Sequence, residues 1–276
     1  MSSLSTARTA DPLYLSAYLL MRTLVGLLGV ALPLVLIAGD LWVVDGDPSV
    51  RGSLSAYYHS GMRDLFVGTL CATGIFLIAY QVFRHRWENL LTTVAGFAAF
   101  GVALFPTGLP PERETELTPL QRQLGEGPTM AVHFACAFAF IALLAVICCV
   151  FARRDGQRDD REGGRYNEPR WAAFHYGCAA VIALAVVFIV VTKVTHRFDR
   201  HSLFVGETVA VFSFGASWLS KGRELRRRWR PLAAPPAPPP APPPAETVSA
   251  EMVSARPGTA ADQPRSAGSG RPTYRA

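Results

Sequence analysis

Charge is scarce in this chain: only 17% of its 276 residues are Asp, Glu, Lys or Arg, while 50% are hydrophobic. Leu, Ile, Phe and Trp are in turn almost missing from residues 231–276, so the apolar content is concentrated upstream. The two scarcities together exclude a single soluble domain. Upstream, apolar runs recur that are long enough to cross a hydrocarbon core about 30 Å thick, and soluble helices seldom run apolar all round for that length. Cysteines are few as well. Cys71, Cys136, Cys148, Cys149 and Cys178 fall in or at the ends of apolar runs with no C-x-x-C spacing, which excludes a zinc knuckle and a thiol–disulfide relay and leaves small packing residues. Also absent are a serine nucleophile elbow, a phosphate-cradling glycine loop and a His-Glu-x-x-His motif, and with them the chemistries those motifs serve.

What remains is an all-α polytopic membrane protein. Six spans are predicted, at Thr23–Val44, Leu65–Phe83, Leu90–Phe105, Met130–Phe151, Trp171–Val191 and Ser202–Leu219. The third is short and stops at Phe105-Pro106. The first is a retained helix bent at Pro33 and not a signal peptide, because Arg22 sits at its start and no small-x-small cleavage site follows. An even number of spans puts both termini on one side, and the basic residues in the short flanking segments choose which. Sixteen Lys and Arg flank the spans on the terminal side, from Arg8 and Arg22 to the cluster between Lys221 and Arg230, against seven on the other. Both termini are therefore expected in the cytoplasm, with the protein in a bacterial inner membrane. The predicted organisation is an N-terminal cytoplasmic segment (1–21), a membrane domain (22–222), and a basic juxtamembrane segment with a disordered tail (223–276).

The formal net charge of +6 does not point to nucleic acid, since the basic run beside the last span fixes topology and attracts anionic lipid headgroups. The Ala/Pro stretch from Pro235 to Pro244 reads as a polyproline II spacer. It either serves as a solvated tail or docks a proline-binding module.

Ionisable residues at membrane depth are costly, so their positions are informative. Most gather on the predicted outer face. Ser55, His59, Arg63 and Asp64 lie in the lead-in to the second span, His133 one turn into the fourth, His196 and His201 in the fifth-to-sixth connection, and Glu207 two turns into the sixth. The acidic loop from Glu112 to Glu126 adds to them, and together they suggest a polar cavity opening outward. Glu207 has only apolar neighbours. Facing lipid, its carboxylate would cost on the order of 2.5 kcal/mol or more, so it should turn inward, paired with Arg200 or Arg63 or protonated. Asp64 suits the positive end of a helix that Ser60 could cap. His133 sits among Ala and Phe as a hydrogen-bonded core histidine, a metal ligand or a proton carrier. His85 and His175 look interfacial, beside Trp87, Trp171 and Tyr176.

Two stretches carry a resemblance: Ser53-Leu-Ser-Ala-Tyr-Tyr-His-Ser-Gly-Met-Arg-Asp-Leu-Phe-Val-Gly68 and Gly206-Glu-Thr-Val-Ala-Val-Phe-Ser-Phe-Gly-Ala-Ser-Trp-Leu-Ser-Lys-Gly222. They resemble uncharacterised six-span bacterial membrane proteins and, more distantly, the DRAM and Sfk-type six-span family. That likeness implies the same architecture and a theme of membrane-lipid homeostasis. Ser55-x-x-x-His59, Asp64 and the His196/His201 pair are locally similar to the alkaline ceramidase and adiponectin-receptor hydrolases. This second likeness implies a zinc site and a lipid substrate.

Four functions follow as expectations. The first is a non-enzymatic, lipid-interacting membrane protein. The second is a zinc-dependent lipid hydrolase in which His59, His133 and His201 bind metal and Asp64 or Glu207 takes a proton from the bound water. The third is proton- or ion-coupled transport through Glu207 and the histidines. The fourth, haem binding, finds no two histidines in facing mid-helix positions.

Overall fold

The structure is a computed structural model that describes residues 12–42, 50–81, 86–109, 117–161, 169–197 and 201–229. The Pro-rich tail, residues 112–116 of the acidic loop, His85 and Arg200 lie outside the described residues. Among those described the chain is helical throughout, with no strand. Its elements are α1 (Pro12–Trp42), a short 3-10 turn (Ser55–His59), α2 (Arg63–Ala79), α3 (Arg86–Leu104), a short α4 (Pro119–Leu124), α5 (Glu126–Arg161), α6 (Pro169–Thr195) and α7 (Ser202–Trp229).

Each expected span coincides with one long helix. Stretches long and apolar enough to cross a membrane lie in five of them among the described residues: Leu19–Trp42, Arg86–Leu104, Glu126–Gln157, Arg170–Thr195 and Ser202–Lys221. α2 is shorter than expected. Its 17 residues span about 25 Å, at the lower edge of what a bilayer core requires. It stops because Tyr80 leaves helical geometry (φ −78°, ψ 73°). That turn places the Tyr80 hydroxyl 2.7 Å from Arg22 Nη1 of α1, which donates to it, and lets the Tyr80 carbonyl accept from Thr92 of α3 at 3.3 Å. α5 runs the other way, extending through Arg153 and Arg154 for 36 residues, roughly 54 Å and longer than any bilayer core.

The long helices form a closed ring in chain order, α1 against α2, α2 against α3, then α5, α6 and α7, with α7 packed back on α1. Small residues let them approach. A Cβ on Gly74 of α2 would lie 2.9 Å from the Gly96 carbonyl oxygen of α3, and one on Gly96 only 2.6 Å from the Gly74 carbonyl oxygen, so here the two backbones touch. α1 and α7 cross in the same way, with Gly215 against the Gly26 backbone. The interior holds Leu36, Phe66, Leu77, Leu144, Ile147, Ile182, Phe214 and Trp218. Outward lie Leu34, Phe97, Phe138, Leu184 and Val187, all exposed. A soluble protein would carry charge at such positions; an apolar girdle belongs in lipid.

The ring has two unlike ends. One, the loop end, carries residues 50–62, 105–109 and 117–125, with His196 and His201 at the facing ends of α6 and α7. The other, the basic end, carries the start of α1 and the ends of α5 and α7.

Candidate functional site

At the loop end, the segment from Arg51 to Tyr58 is folded over the start of α7 by its own backbone. The Phe204 N–H, one of the first in α7 and without an intrahelical partner, donates to the Gly52 carbonyl at 3.0 Å, and the Leu54 N–H donates to Glu207 Oε2 at 2.6 Å. The segment is held at its other side too. Arg51 makes a two-pronged ion pair with Asp40 at the end of α1 (2.9 and 3.2 Å) and lies over the Tyr57 ring. Burial, and then the Asp40 charge, raises the Tyr57 hydroxyl above its ordinary pKa of 10.0. The Ser53 and Ser55 hydroxyls share a hydrogen bond of 3.2 Å, and both are buried.

Glu207 does turn inward, with 9% of its surface exposed. The expected pairing with Arg63 is not seen. Arg63 is exposed at the start of α2, where its guanidinium lies over the Tyr58 ring at 4.7 Å and donates to the Tyr58 hydroxyl at 3.1 Å. Among the described residues no cation pairs with Glu207, and its acceptor role is filled by a backbone amide. Together with Leu54, Ser55, Phe66, Leu70 and Val211, the carboxyl lines a cavity of ≈ 50 Å³ inside the ring.

His133 lines the same cavity. It is fully buried, and its Nδ1 lies 2.7 Å from the Phe105 carbonyl. A carbonyl can only accept, so Nδ1 carries the proton and Nε2 is an open acceptor. Nε2 has no hydrogen-bond partner among the described residues. The cavity thus joins one carboxyl, one serine hydroxyl and one imidazole nitrogen in an otherwise apolar wall.

The other expected site residues do not join it. His59 donates through Nε2 to the Thr107 carbonyl at 2.8 Å, which also accepts from Gln121 Nε2 at 3.2 Å. Gln121 is fixed there by a capping box with Thr118 at the start of α4. Asp64 is exposed in the first turn of α2. The residue capping that helix is Met62 and not Ser60, whose hydroxyl accepts from the Met62 N–H at 3.0 Å. His196 and His201 are exposed on either side of the α6–α7 turn. Among the described residues no three His, Cys, Asp or Glu side chains are grouped to hold a metal ion. The zinc set of His59, His133 and His201 is therefore not assembled among the described residues, since His59 Nε2 is taken by the Thr107 carbonyl and His201 lies at the surface.

The basic end holds a second buried cluster that the sequence did not reveal. Arg22 is 2% exposed, with its guanidinium within 6 Å of the Tyr80, Phe151 and Trp218 ring centres, a threefold cation–π arrangement. Glu88 of α3 pairs with Arg154 of α5. Beside them Lys221 of α7 pairs with Asp155 of α5, whose Oδ2 is 3.4 Å from His175 Nε2 of α6. His175 Nδ1 is 2.7 Å from the Ser217 hydroxyl. His175, expected near the membrane surface, is fully buried at the basic end of the ring. Each of these residues sits at the edge of an apolar run, where charge looks like ordinary flanking sequence; the one available signal was that Asp155 and Lys221 have opposite signs at ends that must meet.

A ring of apolar helices around buried ionisable groups defines a polytopic membrane protein. No protein-family model, curated protein or solved structure matches this chain.

Proposed function

We propose that the chain is a six-span inner-membrane protein, with both termini cytoplasmic and the loop end outward, that translocates protons through Glu207 and His133. The observation that carries this reading is the shared cavity. A carboxyl and an imidazole, the two side chains best suited to exchange a proton near neutrality, line one cavity among the apolar helices. Its volume favours the proton over a larger cargo, because ≈ 50 Å³ has room for only a few waters. The Nε2 of His133 offers an open lone pair, and Glu207 can take or give a proton while the Leu54 amide holds it in place.

The α2 helix supplies the sixth span, with Arg63 placed to reach the headgroup region. The same exposed arginine favours the alternative of a lipid-interacting protein, in which it would contact a lipid phosphate.

Full-length protein in liposomes, with an entrapped pH-sensitive dye and an imposed potassium diffusion potential, tests the proposal. Potential-driven proton entry should exceed that of protein-free vesicles and return to their level in Glu207→Gln. Wild-type vesicles as proton-tight as empty ones would overturn it.

A further inference from the structure

The Glu207 cavity is only half of a path. Glu207 and Ser217 are ten residues apart on α7, about 15 Å along a helix axis, and the buried side chains Ala210 and Phe214 stand between them. These apolar side chains separate the two ends, so protons that reach Glu207 need a separate acceptor on the basic side.

We infer that Ser217, His175 and Asp155 form the basic-end proton station, a chain of donors and acceptors that hands protons between the ring interior and the water at that face. The inference rests on the proton-translocating reading of the Glu207 cavity and adds a site that cavity does not touch. Its geometry is directional. Ser217 and His175 are fully buried, Asp155 retains 8% side-chain exposure, and Ser217 lies one helical turn deeper on α7 than Lys221. A lock between helices needs only the Asp155–Lys221 pair. It does not need an imidazole with one nitrogen on a serine hydroxyl and the other toward a carboxylate.

The groups facing this imidazole come from several elements. α5 brings Asp155 and Phe151, as well as Cys148, whose thiol lies beside Ser217. From α7 come Ser217 and, through Asp155, Lys221. α1 brings Arg22 against Phe151 and Trp218, and α6 itself adds Phe174, with Cys178 one turn on.

With Lys221 paired to Asp155, the tautomer that fits carries its proton on Nε2, on the Asp155 side, and accepts the Ser217 hydroxyl proton at Nδ1. When a proton arrives at Ser217 Oγ, the hydroxyl passes its own to Nδ1. After a small ring movement that turns the 3.4 Å contact into a hydrogen bond, the imidazolium releases the Nε2 proton to Asp155, which yields it to water. Only O–H and N–H bonds break and form, one proton enters and one leaves, and rotation of the ring restores the starting tautomer.

The test compares His175→Gln, Ser217→Ala, Ser217→Thr and Glu207→Gln in the same liposome assay, with elution profile and thermal melting as checks of folding. Flux should fall about a hundredfold in His175→Gln and in Ser217→Ala, and recover in Ser217→Thr, which restores the hydroxyl. In ring-nitrogen NMR of histidine-labelled protein, the signal that His175→Gln removes should titrate with pH and shift in Asp155→Asn. Wild-type flux in His175→Gln, or in Ser217→Ala should the first variant not fold, overturns the station while sparing the Glu207 reading. Absent flux in the wild type overturns both.

Discussion

Glu207 binds a backbone amide in place of a cation, and this sets what its replacements do. Glutamine keeps an oxygen for the Leu54 N–H and removes only the titrating proton, so the Arg51–Tyr58 segment stays on α7. Alanine instead leaves that amide buried and without an acceptor, which costs about 1–3 kcal/mol. Thermal melting in detergent should therefore separate Glu207→Ala, lowered, from Glu207→Gln, near wild type; equal melting of the two would mean that the 2.6 Å contact holds nothing. Glu207 and His133 were legible from sequence because each is an ionisable residue alone in an apolar run. Their partners were not, because the Leu54 amide and the Phe105 carbonyl are backbone groups that every residue carries. The histidines between α6 and α7 misled for the complementary reason. His196 and His201 share a segment, but both are exposed and their rings have no common target.

At the scale of single elements, hydrophobic run length located the helices, and small residues located their crossings. Gly74 and Gly96 place one backbone against the other, so a side chain at either position has nowhere to go. Gly96→Leu should lower stability by about 1–3 kcal/mol and open the α2–α3 contact, seen as new protease or label access near Thr92. Gly68, with open space around its Cβ position, is the matched control, and Gly68→Ala should leave melting unchanged. Helix ends were harder to read. α2 looked continuous to Phe83 because Tyr80 is apolar enough to belong to a span, and only the buried Arg22 across the interface explains why the chain turns there. α5 overran its apolar core because the polar residues beyond it find partners on neighbouring helices, Arg154 on Glu88 and Asp155 on Lys221.

For the whole molecule, the basic-residue asymmetry predicts orientation. In a cysteine-free background, His196→Cys should react with an impermeant maleimide added to intact cells, while Gln157→Cys, exposed at the far end of α5, should react only after permeabilisation. The reverse pattern would invert the topology and move the Glu207 cavity to the cytoplasmic side. Closure of the ring was not visible in the sequence, since no local pattern tells α7 to return to α1. The glycines that allow it, Gly26 and Gly215, are far apart in the chain.

Arg22 has a consequence for the order of synthesis. Its three aromatic neighbours come from the α2–α3 turn, α5 and α7, and the last to emerge from the ribosome is Trp218. Until that final helix is inserted, the first carries a guanidinium whose enclosure is unfinished. A chain that stops short of Trp218 thereby leaves Arg22 with one of its three aromatic faces missing.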